Sequence, residues 1–127
     1  MIGVDIRTVP SVDHRELHAA LVTELGPEVE LETLIDIEAV YTDPADSWVQ
    51  QVFEIMAPLL REKPVARTAT YFTDAAALTP AYRSPPTLIL GPGEPQMAHQ
   101  TDEYCVVERV SQAVSAFEAI ARRWCDA

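Results

Sequence analysis

The pattern that most constrains the fold is an alternation of apolar and polar residues at both ends of the first 41 residues. Isoleucine and valine alternate with other residues over "IGVDIR", residues 2–7, and apolar residues alternate with acidic ones through most of Val29 to Tyr41. A period of two places apolar side chains on one face of a β-strand. Between these segments, Asp13 and Glu16 form a capping box ahead of leucines spaced four residues apart. The pattern predicts a strand, a helix and a strand over residues 1–41.

A second region begins at "YTDPADSW", where the character of the sequence changes. Asp43 is suited to cap a helix, Pro44 suits its first position, and Asp46 adds an acidic residue to its first turn. The following residues carry an apolar stripe at helical spacing. We therefore predict a boundary near residue 42 and a helix after it.

The remainder of the second region reads as two strands and a helix. A strand is predicted from about Val65 to Phe72, and "TLIL", residues 87–90, is a short apolar run enclosed by prolines and glycines, as in a strand buried on both faces. Apolar residues at helical spacing from Val110 to Trp124 predict a final helix. The fold class expected for the whole chain is α/β, with an α-β-β-α order in residues 42–127.

Composition excludes several classes of partner. Nine basic and twenty acidic residues give a net charge of −11, which repels nucleic acid and anionic lipid headgroups. No apolar run is long enough to span a bilayer, and the N-terminus lacks the features of a signal peptide. We expect a cytoplasmic protein that binds neither nucleic acid nor membrane, with Cys105 and Cys125 as reduced thiols.

The loop "GPGEPQMAHQTDEY", residues 91–104, is the strongest candidate for a site. Loops that follow buried strands carry the functional groups of many α/β proteins. Gly91 and Gly93 allow the backbone to approach a ligand, and His99 offers an imidazole that can bind a metal or transfer a proton. The alternative is that His99 is a polar loop residue that caps the last helix.

Two other polar clusters are interpreted as solvated surface. His14 and His18 are four residues apart on the predicted first helix, but Glu16 lies where the metalloprotease pattern does not place it, and both histidines lie off the leucine stripe. Asp36 and Glu38 alternate with apolar residues and are expected in a solvent-facing row.

Two stretches resemble one enzyme family. "TDAAALTPAYRSPPTLILGPGEPQMAHQTDEYCVVERV", residues 73–110, is similar to the C-terminal part of the co-catalytic zinc amidohydrolases, which include acetylornithine deacetylase, succinyl-diaminopimelate desuccinylase, aminoacylase and carboxypeptidase G. "VDIRTVPSVDHRELHAALVTELG" resembles the second half of that family's lid, or dimerisation, domain. The resemblance implies that residues 1–41 are half of a lid domain. Residues 42–127 would then be the C-terminal part of a catalytic domain with a zinc-exopeptidase-like mixed sheet.

The resemblance also implies roles for individual residues. His99 matches the family's last zinc ligand, and Arg7 matches the lid arginine that pairs with the substrate carboxylate, for which a planar guanidinium is well suited. Four further residues match positions that line the substrate pocket or bring the main chain close to the acyl group: Thr73, Asp74, Gly91 and Gly93. Some members have glycines where this chain has Tyr71 and Phe72.

The chemistry implied by the resemblance is hydrolysis of the amide bond of N-acyl amino acids or peptides, with two zinc ions and a general-base glutamate. The family's "H-x-D" motif, bridging aspartate and glutamate pair are not in this sequence, so no catalytic residue is assigned and zinc is not expected to bind stably to this chain alone. We expect an inactive, homo-oligomeric chain. The alternatives are a non-catalytic acidic α/β module for dimerisation or interaction, and one half of a split enzyme.

Overall fold

The computed structural model describes residues 1–126, and its regular structure is helical. Within these residues four α-helices follow one another: α1 (His14–Leu25), α2 (Ser47–Leu60), α3 (Ala75–Ala81) and α4 (Val107–Cys125). A single 3₁₀ turn, Pro95–Met97, lies between α3 and α4. None of the helices within residues 1–126 is long and apolar enough to cross a membrane.

The predicted α/β fold is wrong, because residues 1–126 contain no β-strand. This correction covers the strand-helix-strand half-lid in residues 1–41 and the α-β-β-α segment of a mixed sheet in residues 42–127. Alternation shows which side chains share a face, but a strand forms only when its N–H and C=O groups pair with a neighbouring strand. Outside the helices, the backbone hydrogen bonds of the described residues join positions no more than five apart. The alternating segments therefore find no strand partner within this structure.

The first helix forms where the sequence predicts it. The side chain of Asp13 accepts hydrogen bonds from the backbone N–H groups of Arg15 and Glu16 at 2.8 and 3.1 Å. These bonds satisfy two of the amides that a helix start leaves without partners. The helix ends at Gly26, whose φ of 75° is a conformation that glycine adopts without the penalty of a Cβ atom. Both ends of α1 are thus set by local chemistry.

The second helix begins one turn later than expected. Asp46, not Asp43, is its N-cap, and its carboxylate accepts from the Trp48 N–H at 2.8 Å. Asp43 instead accepts from the Ala45 N–H at 2.8 Å within the preceding turn, where Pro44 also lies. Two aspartates three residues apart compete for the same role, and the sequence pattern does not decide between them.

Helices α2 and α4 pack together and contain every buried residue of residues 1–126. Val49 and Val52 on α2 and Ala116 on α4 are 4%, 1% and 2% exposed. The rings of Trp48 and Trp124 meet edge to face, with centroids 4.8 Å apart, a favourable geometry for aromatic pairs. The apolar stripe predicted for α2 includes its two buried valines, whereas Ala116 lies outside the stripe predicted for α4, most of which is exposed.

The chain divides into two units. The first comprises Met1–Thr42 and Ala69–Thr87, and the second comprises Asp43–Thr68 and the chain from Leu88 onward. No residue of the first unit is buried. Within it, the hydrogen bonds that span the greatest sequence separation, 45 positions, join Thr42 and Thr87. The Thr42 hydroxyl donates to the Thr87 carbonyl at 2.9 Å and accepts from the Thr87 N–H at 2.8 Å. The assignment of 1–41 to a lid and 42–127 to a catalytic domain stays a prediction.

The chain exposes an unusually large apolar surface. Its accessible surface is 10777 Å², whereas a folded monomer of 14.1 kDa typically exposes roughly 6,700 Å². Among the residues predicted to face a core, Ile2, Val4 and Ile35 are 89%, 77% and 78% exposed. The apolar faces that the alternation identifies are present in the sequence but remain uncovered in this structure.

Candidate functional site

His99 lies in the turn that follows the 3₁₀ segment, and its imidazole is accessible. Its backbone has φ of 63°, in the left-handed region that few non-glycine residues adopt. The His99 N–H donates to Oε2 of Glu103 at 3.2 Å, which ties the turn together. Within residues 1–126 the ring nitrogens make no hydrogen bond, so the imidazole is available to an external partner. The helix-capping alternative is wrong, because α4 begins after Val106 and has no side-chain cap.

The two glycines of the candidate loop border a cavity in the second unit. It has a volume of about 530 Å³ and lies between the C-terminal end of α2, residues 91–93 and the N-terminal half of α4. A Cβ atom added to Gly91 or Gly93 would meet no atom within 4 Å, so the main chain there is open to approach. His99 is not among the lining residues. The cavity and the imidazole are therefore separate features of this unit.

One lining residue of the cavity, Arg109, takes part in an ion pair. Arg109 of α4 contacts the carboxylate of Glu94 through Nη1. The thiol of Cys105 donates to the Pro92 carbonyl, with a sulfur to oxygen distance of 3.5 Å. Together these contacts connect residues 92–94 to the start of α4.

Arg7 lies on the surface of the first unit. Its Nη2 donates to Oδ2 of Asp5 at 2.7 Å, and the two side chains are 57% and 68% exposed. An exposed ion pair of this kind contributes at most about 1 kcal/mol. A guanidinium has five N–H donors, so this contact leaves others available for a second carboxylate.

Thr73 and Asp74 lie at the start of α3, also in the first unit. Asp74 occupies the N-cap position but makes no side-chain cap hydrogen bond, and it is exposed, whereas Thr73 is half-buried. The Thr73 carbonyl accepts from the Ala76 N–H at 3.1 Å. The Asp74 carboxylate is therefore accessible at the end of a helix, where an anion is favoured.

The six predicted site residues fall into two sets. Arg7, Thr73 and Asp74 belong to the first unit, and Gly91, Gly93 and His99 belong to the second. Within residues 1–126, no group of three or more histidine, cysteine, aspartate or glutamate side chains is placed to hold a metal ion. A zinc site needs three or four protein or water ligands, so the donors present here do not by themselves complete one.

A side-chain cluster that the sequence does not predict centres on His14 in the first unit. Nε2 of His14 lies 2.8 Å from the Thr8 hydroxyl, and its Nδ1 lies 2.5 Å from Oδ1 of Asp36. His14 is half-buried, with 21% of its side chain exposed, whereas His18 is exposed, as predicted for a solvated helix face. Asp36 is 61% exposed, as a surface residue would be, yet it is bonded. No signal in the sequence links residues 14 and 36, because their contact spans 22 positions.

Comparison with known proteins identifies relatives. The model of peptidase family M20/M25/M40 matches residues 2–123. The acetylornithine deacetylase of Pasteurella multocida (strain Pm70) is 29% identical over 126 residues, which cover 95% of this chain. The chain spans 31% of that relative's length. No solved structure matches.

Proposed function

Because the chain belongs to peptidase family M20/M25/M40, whose members are metal-dependent hydrolases, we propose that it is part of a hydrolase that cleaves the amide bond of N-acyl amino acids or peptides. The observation that carries this proposal is the family match over residues 2–123. The likeness to an acetylornithine deacetylase supports an N-acyl amino acid as the substrate class. A cytoplasmic location forms part of the same proposal and rests on composition alone.

We assign His99 the role of a metal ligand, with zinc as the metal. Support comes from its exposed ring, which makes no hydrogen bond within residues 1–126. The backbone N–H of His99 also donates to the Glu103 carboxylate, which restrains the turn. In the complete family enzyme two zinc ions would polarise the scissile carbonyl and activate water. His99 would supply a neutral imidazole to one of them, while its left-handed backbone fixes where the ring leaves the turn.

We assign Arg7 the role of anchor for the substrate carboxylate. The Asp5 carboxylate already bonded to it, at 2.7 Å, demonstrates that this guanidinium accepts a carboxylate partner in its present position. Thr73 and Asp74 would contact the polar part of the substrate. Gly91 and Gly93, whose main chain is open, would lie beside the acyl group.

The isolated chain is proposed to be inactive. One accessible imidazole provides too few ligands for a stable zinc site, and residues 1–126 bring no further group of metal-binding side chains together. The missing ligands would have to come from other polypeptide, which is the split-enzyme form of the proposal.

A second candidate function, dimerisation or interaction without catalysis, is favoured by one observation. The accessible surface of 10777 Å² includes many large apolar side chains, and monomers rarely expose extensive apolar patches. Covering that surface requires association, so we propose that the chain is a homo-oligomer whether or not it takes part in catalysis.

Zinc content and hydrolysis test the primary proposal. The purified chain, dialysed against zinc and then against buffer, is expected to retain far less than one zinc per chain and to leave N-acetyl-L-ornithine intact, because a single imidazole binds zinc weakly. A competing zinc dye should detect this weak binding, which His99→Ala should reduce. His18→Ala is the matched control, since it removes an exposed histidine from α1 and should leave the loop's zinc affinity unchanged.

Two results would contradict parts of this proposal. Tight stoichiometric zinc with turnover would refute the inactivity of the isolated chain while supporting its hydrolase character. If His99→Ala and His18→Ala lose zinc affinity equally, His99 is not a specific metal ligand.

Light scattering tests the association. We expect a mass of at least twice 14.1 kDa at micromolar concentration, falling on dilution, because burying the exposed apolar surface favours association. A dye that fluoresces on apolar surfaces should bind more strongly as the mass falls. A monodisperse monomer at all concentrations would refute the proposal that the chain is a homo-oligomer.

A further inference from the structure

One member of the hydrogen-bonded cluster of Thr8, His14 and Asp36 is adjacent in sequence to the proposed carboxylate anchor, because Thr8 follows Arg7 directly. We propose that these three side chains form a positioning relay that holds Arg7 ready to bind the substrate carboxylate. This inference rests on the proposed function, because it requires Arg7 to be the anchor. It assigns Thr8, His14 and Asp36 a role in binding without placing them in contact with substrate.

Both ring nitrogens of His14 have a partner. A carboxylate only accepts hydrogen bonds, so Nδ1 of His14 donates to Oδ1 of Asp36, 2.5 Å away. Nε2 lies 2.8 Å from the Thr8 hydroxyl, a group that can donate a hydrogen bond or accept one. With both ring nitrogens engaged, the ring of His14 has one orientation, which dictates where the Thr8 side chain must point.

Three separate segments meet at this ring. His14 is the first residue of α1, Thr8 precedes the helix by six residues, and Asp36 follows it in a segment without regular structure. The first unit contains no buried residue, so no apolar core holds the segment around Thr8 in place. Hydrogen bonds to His14 supply the constraint that packing would supply elsewhere.

The constraint on Thr8 is passed to Arg7 through the backbone. The peptide bond between them is planar and rigid, so fixing Thr8 leaves few torsions free between the relay and the Arg7 Cα atom. Ordering a residue's backbone costs conformational entropy, and a binding group that is already ordered does not bear that cost when the ligand arrives. The 2.7 Å contact of Nη2 with Asp5 occupies one of the guanidinium's N–H donors and leaves others for a substrate carboxylate.

Binding of N-acetyl-L-ornithine to the full chain, followed by NMR titration, tests the relay. Thr8→Val removes the hydroxyl and keeps the shape of the side chain. We expect the dissociation constant of the variant for N-acetyl-L-ornithine to rise between about twofold and tenfold, which corresponds to the net contribution of one hydrogen bond. Thr8→Ser restores the hydroxyl and should restore the affinity. Arg7→Ala should abolish binding.

Two further variants separate the relay from a general effect on folding. His14→Ala should weaken binding as Thr8→Val does, whereas His18→Ala, on the same helix but exposed, should not. Asp36→Asn removes the carboxylate that accepts from Nδ1 and should shift the ring resonances of His14 even if the overall fold is kept.

The outcomes distinguish failure of the relay from failure of the anchor. If Thr8→Val binds as tightly as wild type while Arg7→Ala does not bind, the relay is wrong and the anchor stands. If Thr8→Ser binds as weakly as Thr8→Val, the hydroxyl is not the cause and the relay is wrong. If Arg7→Ala binds like wild type, Arg7 is not the carboxylate anchor, and the positioning role of the relay is refuted as well.

Discussion

Val52→Asp should unfold the α2–α4 pair. Val52 is 1% exposed and is one of three buried residues in residues 1–126. An ionised carboxylate at a buried site without a partner costs several kcal/mol, which is comparable with the whole stability of a small domain. Circular dichroism should record a loss of helix. Tryptophan fluorescence should change at the same time, because Trp48 and Trp124 are in contact across the two helices.

Val114→Asp is the matched control for this variant. It makes the same chemical change on α4 at a position that is 63% exposed. A substitution at such a site usually changes the free energy of unfolding by no more than about 0.5 kcal/mol, so urea should unfold this variant at nearly the wild-type midpoint. Similar losses of helix in both variants would refute the assignment of the buried contact to Val52.

Thr42→Val should loosen the first unit. The Thr42 hydroxyl bonds both backbone groups of Thr87, at 2.9 and 2.8 Å, and links segments 45 residues apart. Valine has nearly the same shape but leaves the Thr87 N–H and C=O without those partners, at a cost of about 2 kcal/mol in the stability of this unit. Hydrogen exchange at the Thr87 amide should become faster by at least tenfold.

Thr101→Val provides the comparison for Thr42→Val. Thr101 is exposed, and its hydroxyl takes part in none of the side-chain hydrogen bonds found within residues 1–126. Its replacement should leave the Thr87 amide unchanged. If the Thr87 amide exchanges at the same rate in wild type and Thr42→Val, the hydrogen bonds of the Thr42 hydroxyl do not hold the two segments together.

The helices were predictable because the forces that form them are local. The Asp13 cap and the glycine at position 26 act within one turn of the residues they stabilise. The apolar spacing of α4 and the two arginines in its last turn are likewise visible in a short window of sequence. Where two local signals compete, as at Asp43 and Asp46, the sequence misplaced the start of the helix.

The strands were not predictable for the opposite reason. The alternation in residues 2–7 identifies an apolar face, and that face remains apolar in the structure, but Ile2 and Val4 are largely exposed. A strand depends on a partner that lies far away in sequence or in another chain. The pattern contains no information on whether that partner is present.

The candidate site shows the same division between local and distant information. The motif around His99 was recognisable from a single loop, and the family match over residues 2–123 supports the family to which that motif pointed. The cluster at His14 depends on a contact across 22 positions and became visible only in the structure.

The family, the existence of α1, α2 and α4 and the identity of the apolar faces follow from residue types at short spacing, so they can be read from the sequence. That those faces stay uncovered and that the alternating segments form no strands is visible only in the folded chain. The contacts by which His14 joins Thr8 to Asp36 are likewise visible only there. These outcomes depend on which distant groups meet, and the energy of such contacts is not encoded in any short segment of the chain.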